Sequence, residues 1–503
     1  MGSTSKDGVD YAPKVLEQSL SSSSDHAINT AVGEVSEILP EHDEKAERKL
    51  VLKLDLTIMP LIFLMYFFNS IDRSNLGNAK TDGMDSDLNF TGNQYSILVM
   101  VFYIPFCGLC LPANLITRKY QPKWFLVAFM LCWGTMATLC SICKNFTQLT
   151  AIRILLGIFE AGFAPCSMFY MSTFFTRGEL ATRFAIWYTA TVISGAFSGL
   201  ISYGLFQLHS SLHGWQLLFI VEGVLTVFLA LVAAIVLPKN PWTCRWLTED
   251  EKRLSVTRAK RDSTAAVGSE WDLREGLQPF KQWQVYAWAV IGVCYGTSGS
   301  AVGSFLPQIV ALMGFSTLKT NLYTVAPNLV GAVILFAIAR SSDRFRERSG
   351  HLIFALGITF VGWIILVSLN PAEHVPIAYF ACFLLCGGAM TPTVLFHSWH
   401  ASNMHTENGR IYVMSFLTGA ANAGGIIASL TFRNQDAPRY IPFLATAAAI
   451  EGVGMLLILA LRFWMVLDNR RRDKAMGVKL VSKDVKLSEL TGGTNDVRWR
   501  WFI

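Results

Sequence analysis

With 52% hydrophobic and only 16% charged side chains among 503 residues, the chain is too apolar for a water-soluble protein, where about a quarter of residues are charged. The formal net charge of +6 is too small to call for a nucleic-acid partner, and its basic residues cluster in short loops where membrane topology accounts for them. What remains is an all-α membrane protein.

Residues 1–50 are polar and Ser-rich (SLSSSSD), with no apolar core near the start, so no cleavable signal is expected and the segment reads as a disordered cytosolic tail. A first span covers roughly 54–71 and is closed by the polar stretch Asp72-Arg73-Ser74-Asn75-Leu76-Gly77-Asn78. Apolar runs follow at about 95–113, 124–142, 149–174, 184–208 and 215–237, each near the twenty residues a spanning helix needs. Together they predict a six-helix bundle over 51–237.

A polar segment, 238–283, reads as a cytosolic central loop. Thr248-Glu249-Asp250-Glu251 has capping-box spacing and predicts a short helix, while Leu273, Leu277, Phe280 and Trp283 suit a helix at the membrane interface. Six further runs, at about 285–312, 320–339, 351–369, 376–398, 411–432 and 441–467, make a second bundle over 284–467, with 468–503 as a cytosolic tail. The fold class is therefore twelve transmembrane helices arranged as two six-helix repeats.

Arg118, Lys119 and Lys123 follow span 2, Arg177 and Arg183 follow span 4, and Arg340, Arg344, Arg346 and Arg348 follow span 8. The positive-inside rule puts these loops and both termini in the cytosol. The sequons at Asn89 and Asn145 (both NFT) fall on the opposite side, where a glycosyl acceptor belongs. The halves also repeat: Pro165 and Arg183 return as Pro392 and Arg410, both 227 positions later, and Glu222-Gly223-Val224 returns as Glu451-Gly452-Val453 at 229, as does Asn114 as Asp343. Six is even, so the duplicated units run parallel.

Within span 4, RILLGIFEAGFAP (153–165) carries Arg153 and Glu160 seven residues apart, on nearly one helical face. Ionisable groups at membrane depth need a partner or a wet cavity, so this face predicts a polar lumen. Gly157 and Ala161 form a small-residue strip for a neighbouring helix, and Pro165 predicts a bend. Arg153 offers paired donors to a substrate carboxylate, with a structural ion pair as the alternative; Glu160 suits a coupled proton, with permanent pairing to Arg153 or Arg73 as the alternative. Asn75 and Asn78 could present amides to a solute or cap the helix end. Trp187, Tyr188, Tyr295, Tyr323 and Asn328 could line the cavity or fill helix contacts. His397 and His400 read as interfacial, bonded to loop backbone, and Glu222 and Glu451 as scaffolding. Cys107 and Cys110 form a CxxC without a second pair at zinc spacing, so no metal site is expected.

The loop after span 8, with Ala339, Asp343, Arg344 and Arg348, resembles the major-facilitator signature G-x-x-x-D-R-x-G-R-R, and Asn114 with Arg118 and Lys119 is its degenerate counterpart. DRSNLGNAK (72–80), RILLGIFEAGFAP, GWQLLFIVEG (214–223), LPKNPWTCRWLTEDE (237–251) and KTNLYTVAPNLVG (319–331) resemble the fungal allantoate-permease group of the anion:cation symporters within that superfamily. The resemblance implies proton-driven import of a small organic anion of the allantoate, nicotinate, pantothenate or biotin class across the plasma membrane. It makes the charged residues of spans 1 and 4 candidates for substrate and proton handling, Arg153 and Arg73 for the substrate and Glu160 and Asp72 for the proton. Beside it, the polar and aromatic character of Asn75, Tyr295, Tyr323 and Asn328 adds them as substrate candidates, and Asn114, Arg118, Arg183, Asp343, Arg344 and Arg410, in loops or at span ends matched between the halves, are the gating candidates. No catalytic residue and no cofactor beyond the proton gradient is expected, and the partners are the anion, protons and lipid, with the chain a monomer. A proton antiporter exporting a drug or a secondary metabolite is the nearest rival, but such exporters carry G-x-x-x-G-P-x-x-G-G in span 5, where this chain has Gly195-Ala-Phe-Ser-Gly199 followed by Leu200; an importer serving a biosynthetic gene cluster stays open beside it. A transporter-like nutrient sensor is a further alternative. A membrane enzyme would need a compact constellation that His397-Ser-Trp-His400 does not supply.

Overall fold

The computed structural model describes residues 44–119, 121–208, 210–262, 273–404, 406–480, 494 and 496–503. The tail expected to be disordered therefore lies, up to residue 43, outside the described residues. Among those described, twelve helices are long and apolar enough to cross a membrane: Lys45–Thr81, Gln94–Thr117, Pro122–Cys140, Phe146–Ser172, Thr182–Leu205, Gly214–Val236, Trp283–Ala311, Thr317–Phe345, Ser349–Ser368, Val375–Ser402, Asn408–Thr431 and Ile441–Met476, spans 1 to 12 below. Large apolar side chains such as Ile235, Val333, Leu456 and Phe463 stand exposed on their outward faces, which suits a hydrocarbon surrounding.

The two halves use one pairing scheme. Span 1 packs on 5, 2 on 4 and 3 on 6; in the second half 7 packs on 11, 8 on 10 and 9 on 12. The halves meet through span 2 on 11, 5 on 8 and 1 on 7, a set that maps onto itself when the halves are exchanged. Spans 1–6 and 7–12 thus share one scheme of helix pairing.

Proline sets the interruptions. Span 4 is helical over Phe146–Glu160 and Phe163–Ser172, broken at Ala161 and Gly162, because Pro165 has no N–H for the Ala161 carbonyl and its ring crowds that turn. Span 10 breaks in the same place in its repeat, between Val375–Ala389 and Thr391–Ser402, ahead of Pro392. Beside the first break, Gly157 faces the Phe102 carbonyl and Pro105 of span 2, an approach that a side chain at 157 would prevent.

Three expected boundaries move. Span 1 does not close at Asp72: its helix continues to Thr81, because Asp72, Asn75 and Asn78 face the protein interior and are buried there. The first helix also begins at Glu44, so residues 44–50 are helical. The last segment is no free tail. The helix of span 12 runs to Met476, and residues 499–503 return to pack on the second half. Trp499 and Trp501 are buried; the Trp399 indole and the Asn403 amide both donate to the Phe502 carbonyl at 2.9 Å, and the Arg348 N–H donates to the Ile503 oxygen at 3.0 Å.

The central segment clamps the bundles from the terminal side. The predicted capping box at Thr248 forms, with the Thr248 N–H donating to Glu251 at 2.8 Å and the Glu251 N–H to the Thr248 hydroxyl at 3.3 Å. Its helix, Glu249–Asp262, is tied to the first half by Lys53–Glu251 at 2.8 Å, Arg258–Glu47 at 3.0 Å and Arg258–Glu179 at 2.6 Å. The hydrogen bond from Lys53, helped by the Thr248 N–H, holds the Glu251 carboxyl below the usual carboxylate range. The Leu273–Leu277 helix and the 3-10 turn after it pack on span 11, with Glu275 accepting from Asn408 at 2.8 Å and Phe280 edge-on to Phe416.

Candidate substrate and proton site

On the side opposite the termini the halves are sewn together. Gln308 donates to the Gly77 carbonyl at 2.7 Å, Thr317 to the Thr81 carbonyl at 3.0 Å and Asn321 to the Thr81 hydroxyl at 3.1 Å, and Ser96 bonds the Phe432 carbonyl. Tyr95, Phe305, Phe432, Tyr440 and Phe443 interlock above these bonds, with the Lys80 ammonium 4.1 Å from the Tyr95 ring centre. A small cavity lies beneath this seal.

Its walls are Arg73 and Leu76 of span 1, Leu98, Val99, Phe102 and Tyr103 of span 2, Arg153 of span 4, and Ser304 of span 7, the one contribution from the second half. Tyr103 and Ser304 face each other across the halves at 3.4 Å. The two arginines are not equivalent. Arg73 Nε donates to Glu160 Oε2 at 2.9 Å, and its guanidinium lies 4.5 Å from the Phe106 ring centre. Arg153 is buried, its guanidinium 5.7 Å from the Phe219 ring, and the protein offers its Nε and Nη2 no hydrogen-bond partner. Charged donors so placed are costly unless something anionic takes them.

Asp72 points away from Arg73 and receives the Trp133 indole N–H at 3.1 Å, leaving Oδ1 buried and unpartnered. Of the four charged residues of spans 1 and 4, Arg73 and Arg153 line the cavity, Glu160 pairs with Arg73, and Asp72 is turned to Trp133. Asn75 and Asn78 lie between spans 1 and 5: Asn78 donates to Ser198 at 2.7 Å, and Asn75 accepts from Ser198 at 3.5 Å.

Three substrate candidates lie elsewhere. Tyr323 stacks on Phe315 at 4.6 Å and meets Tyr379 edge-on at the outer end of span 8, because the helix break at Thr324 turns it outward. Asn328 donates to the Thr324 carbonyl at 2.8 Å and packs on Gly195, filling the contact of spans 5 and 8. Tyr295 is buried in the second half, tilted against Phe396 at 5.0 Å. Trp187 stacks on Tyr66 at 3.8 Å within the first half. His397 and His400 bond each other at 2.9 Å inside the protein instead of reaching loop backbone.

Among the gating candidates, Asn114 bonds Ser415 across the halves. Arg183 holds Asp55 with two bonds, Nε at 2.9 Å and Nη2 at 2.5 Å, joining spans 5 and 1 within one half. Asp343 pairs with Arg348 at 2.6 Å and Arg344 is exposed. Arg410 is half-buried in the first turn of span 11, while the Arg118 side chain lies outside the described residues. The sequons Asn89 and Asn145 are both exposed on the sealed side. Sequence reasoning missed Phe102, Tyr103, Trp133 and Ser304. Nothing in an apolar run distinguishes an aromatic that lines a cavity from one that faces lipid, and Ser304 joins the site from across the fold.

A family model described as Major Facilitator Superfamily matches residues 62–431. The MFS-type transporter efuF of Hormonema carpetanum is 47% identical over 89% of this chain and 90% of its own length. The major facilitator-type transporter hxnP of Emericella nidulans is 43% identical over 92% and 94%. The high-affinity nicotinic acid transporter of Saccharomyces cerevisiae is 28% identical over 88% and 81%. In fold, the D-xylose-proton symporter crystal structure matches with a TM-score of 0.63 at 14% identity, over 80% of this chain and 97% of that one.

Proposed function

This chain belongs to the Major Facilitator Superfamily and is a multi-pass membrane transporter, not an enzyme; on that premise we propose that it imports a small organic anion together with protons, as a member of the allantoate-permease group of anion:cation symporters. The observation that carries the reading is Arg153, a buried guanidinium with free donors in a cavity that also holds Arg73. A carboxylate there would satisfy a fork of charged donors, while Phe102, Tyr103, Leu76 and Val99 accept a ring or apolar body. The nicotinic acid transporter among its relatives makes a pyridine carboxylate a fitting first candidate.

In this reading both termini are cytosolic, the membrane is the plasma membrane and the working unit is a monomer. Alternating access proceeds by rocking of the two bundles about the cavity, with the outer seal at Gly77, Thr81 and Ser96 opening to admit the anion. Asp72 and Glu160 are the proton-handling carboxylates. The test is uptake of labelled nicotinate, allantoate, pantothenate and biotin into permease-deficient yeast at acidic and neutral outside pH, with and without a protonophore. Accumulation that is faster in acid and abolished by the protonophore supports the proposal. Accumulation insensitive to both overturns proton coupling, and no uptake of any of the four despite surface expression overturns the substrate class.

A further inference from the structure

Ser304 is the second half's contribution to the cavity wall, and its neighbours fix where it stands. Gln308, one turn further along span 7, donates to the Gly77 carbonyl at 2.7 Å, and a side chain at 77 would strike the Ser304 carbonyl, so spans 1 and 7 touch at this level. Tyr103 comes from span 2. Its ring lies on Gly425 of span 11, where no side chain would fit, and stands edge-on to Phe102 at 5.3 Å. Spans 2 and 7 thereby bring two hydroxyls together in the wall that Arg153 shares.

Those hydroxyls are under-used. Each carries one donor and two acceptor positions, both side chains are buried, and among the described residues the one bond either makes is the 3.4 Å contact with the other. A well-made bond between hydroxyls is about 2.5–3.0 Å long. Ser415 and Ser429 of span 11 return their hydroxyls to the carbonyl four residues before, at 3.0 and 2.7 Å, and Ser304 does not. Its hydroxyl is kept for the cavity. At another part of the same wall Arg153 holds its free charged donors, so the cavity has two polar places, one cationic and one neutral.

We propose that Tyr103 and Ser304 are specificity-determining residues that read a hydrogen-bonding atom at the end of the anion remote from its carboxylate, and that the carboxylate of a nitrogen heterocycle satisfies both places. The proposal rests on the organic-anion import reading and deepens it. With the carboxylate on Arg153, the ring nitrogen accepts a hydrogen bond from one of the two hydroxyls, and the other hydroxyl donates to the first. An acid of the same shape with a C–H in place of the nitrogen leaves the hydroxyls to their long mutual contact and gains nothing from them. Arg153 thus takes any small carboxylate, and the hydroxyl pair chooses among them.

The test is displacement of labelled nicotinate from the purified full chain in lipid nanodiscs, with unlabelled nicotinate and benzoate, its nitrogen-free counterpart, as competitors. Nicotinate should displace the label at a concentration roughly 5- to 30-fold below benzoate, the ratio that one or two neutral hydrogen bonds supply. Ser304→Ala and Tyr103→Phe should each bring the two acids together by weakening nicotinate alone. Arg153→Ala should weaken both alike, since the carboxylate is common to them. A preference unchanged in both Ser304→Ala and Tyr103→Phe, a loss shared equally by benzoate, or a wild type that binds the two acids equally or binds neither overturns the inference. Uptake in yeast keeps the two readings apart: nicotinate taken up by the wild type but bound no better than benzoate defeats this inference alone, whereas uptake of none of the four anions defeats the import reading beneath it.

Discussion

Arg73 Nε lies 2.9 Å from Oε2 of Glu160, joining span 1 to span 4 beneath the sealed mouth, while Arg153, seven residues before Glu160, has donors to spare. Pairing one arginine and freeing the other makes the cavity a site for one anion. It follows that Arg73→Ala, which strands the buried Glu160, should cost up to about 3 kcal/mol of stability. The double variant Arg73→Ala/Glu160→Gln should recover much of that loss, read as thermal unfolding in detergent.

Removal of the free guanidinium should act on the substrate. A charge-assisted hydrogen-bonded contact contributes about 1.5–3 kcal/mol, so Arg153→Ala should weaken anion uptake by roughly 10- to 150-fold at normal surface expression. Arg153→Lys should fall between, keeping the charge but not the fork. Normal uptake of an identified substrate by Arg153→Ala would sink the proposed site.

Both sequons can be examined without disturbing the fold. Asn145 caps the helix of span 4 by accepting from the Gln148 N–H at 2.9 Å, so Asn145→Ala should cost about 1 kcal/mol while Asn145→Asp keeps the cap and abolishes the acceptor. If both sites face the lumen during synthesis, glycosidase treatment should shift the wild type twice as far as Asn145→Asp on a gel. No shift in any form would count against glycosylation.

The returning end of the chain should be structural. Trp501 is buried against Trp464 and donates to Asp468 at 2.8 Å, so Trp501→Ala should cost about 3–5 kcal/mol and lower the melting temperature of the second half. An unchanged melting curve would show that the segment contributes nothing.

Acid should loosen the turn between spans 8 and 9. Burial pushes the Glu347 carboxyl up, but bonds from the Gly350 N–H, His351, Ser349 and Arg462 outweigh it and hold Glu347 below the usual carboxylate range. A depressed value means the stabilisation is present above the unfolded carboxylate's pKa of about 4.3 and is lost as pH falls through the folded value. Melting of wild type and Glu347→Gln should therefore differ at neutral pH and converge in acid.

Much of the architecture was legible because membrane insertion is decided by local chemistry. Every span was found, since about twenty apolar residues must cross hydrocarbon whatever lies beside them. The duplication was legible in Pro165 and Pro392 because a proline interrupts its own helix, and both spans break just ahead of it. The end of span 1 was misplaced for the converse reason: Asp72, Asn75 and Asn78 look like a loop until their burial partners from spans 3 and 5 are known.

What the sequence determined by itself was the number of spans, the repeat and the presence of charge on spans 1 and 4, all set by composition within single helices. Only the tertiary structure decided which arginine is paired and which is free, that Tyr323 turns away from the cavity, that Ser304 closes it, and that Trp501 belongs to the core. Those outcomes depend on which faces of distant helices meet, and a side chain's partner across a bundle leaves no trace in the residues beside it.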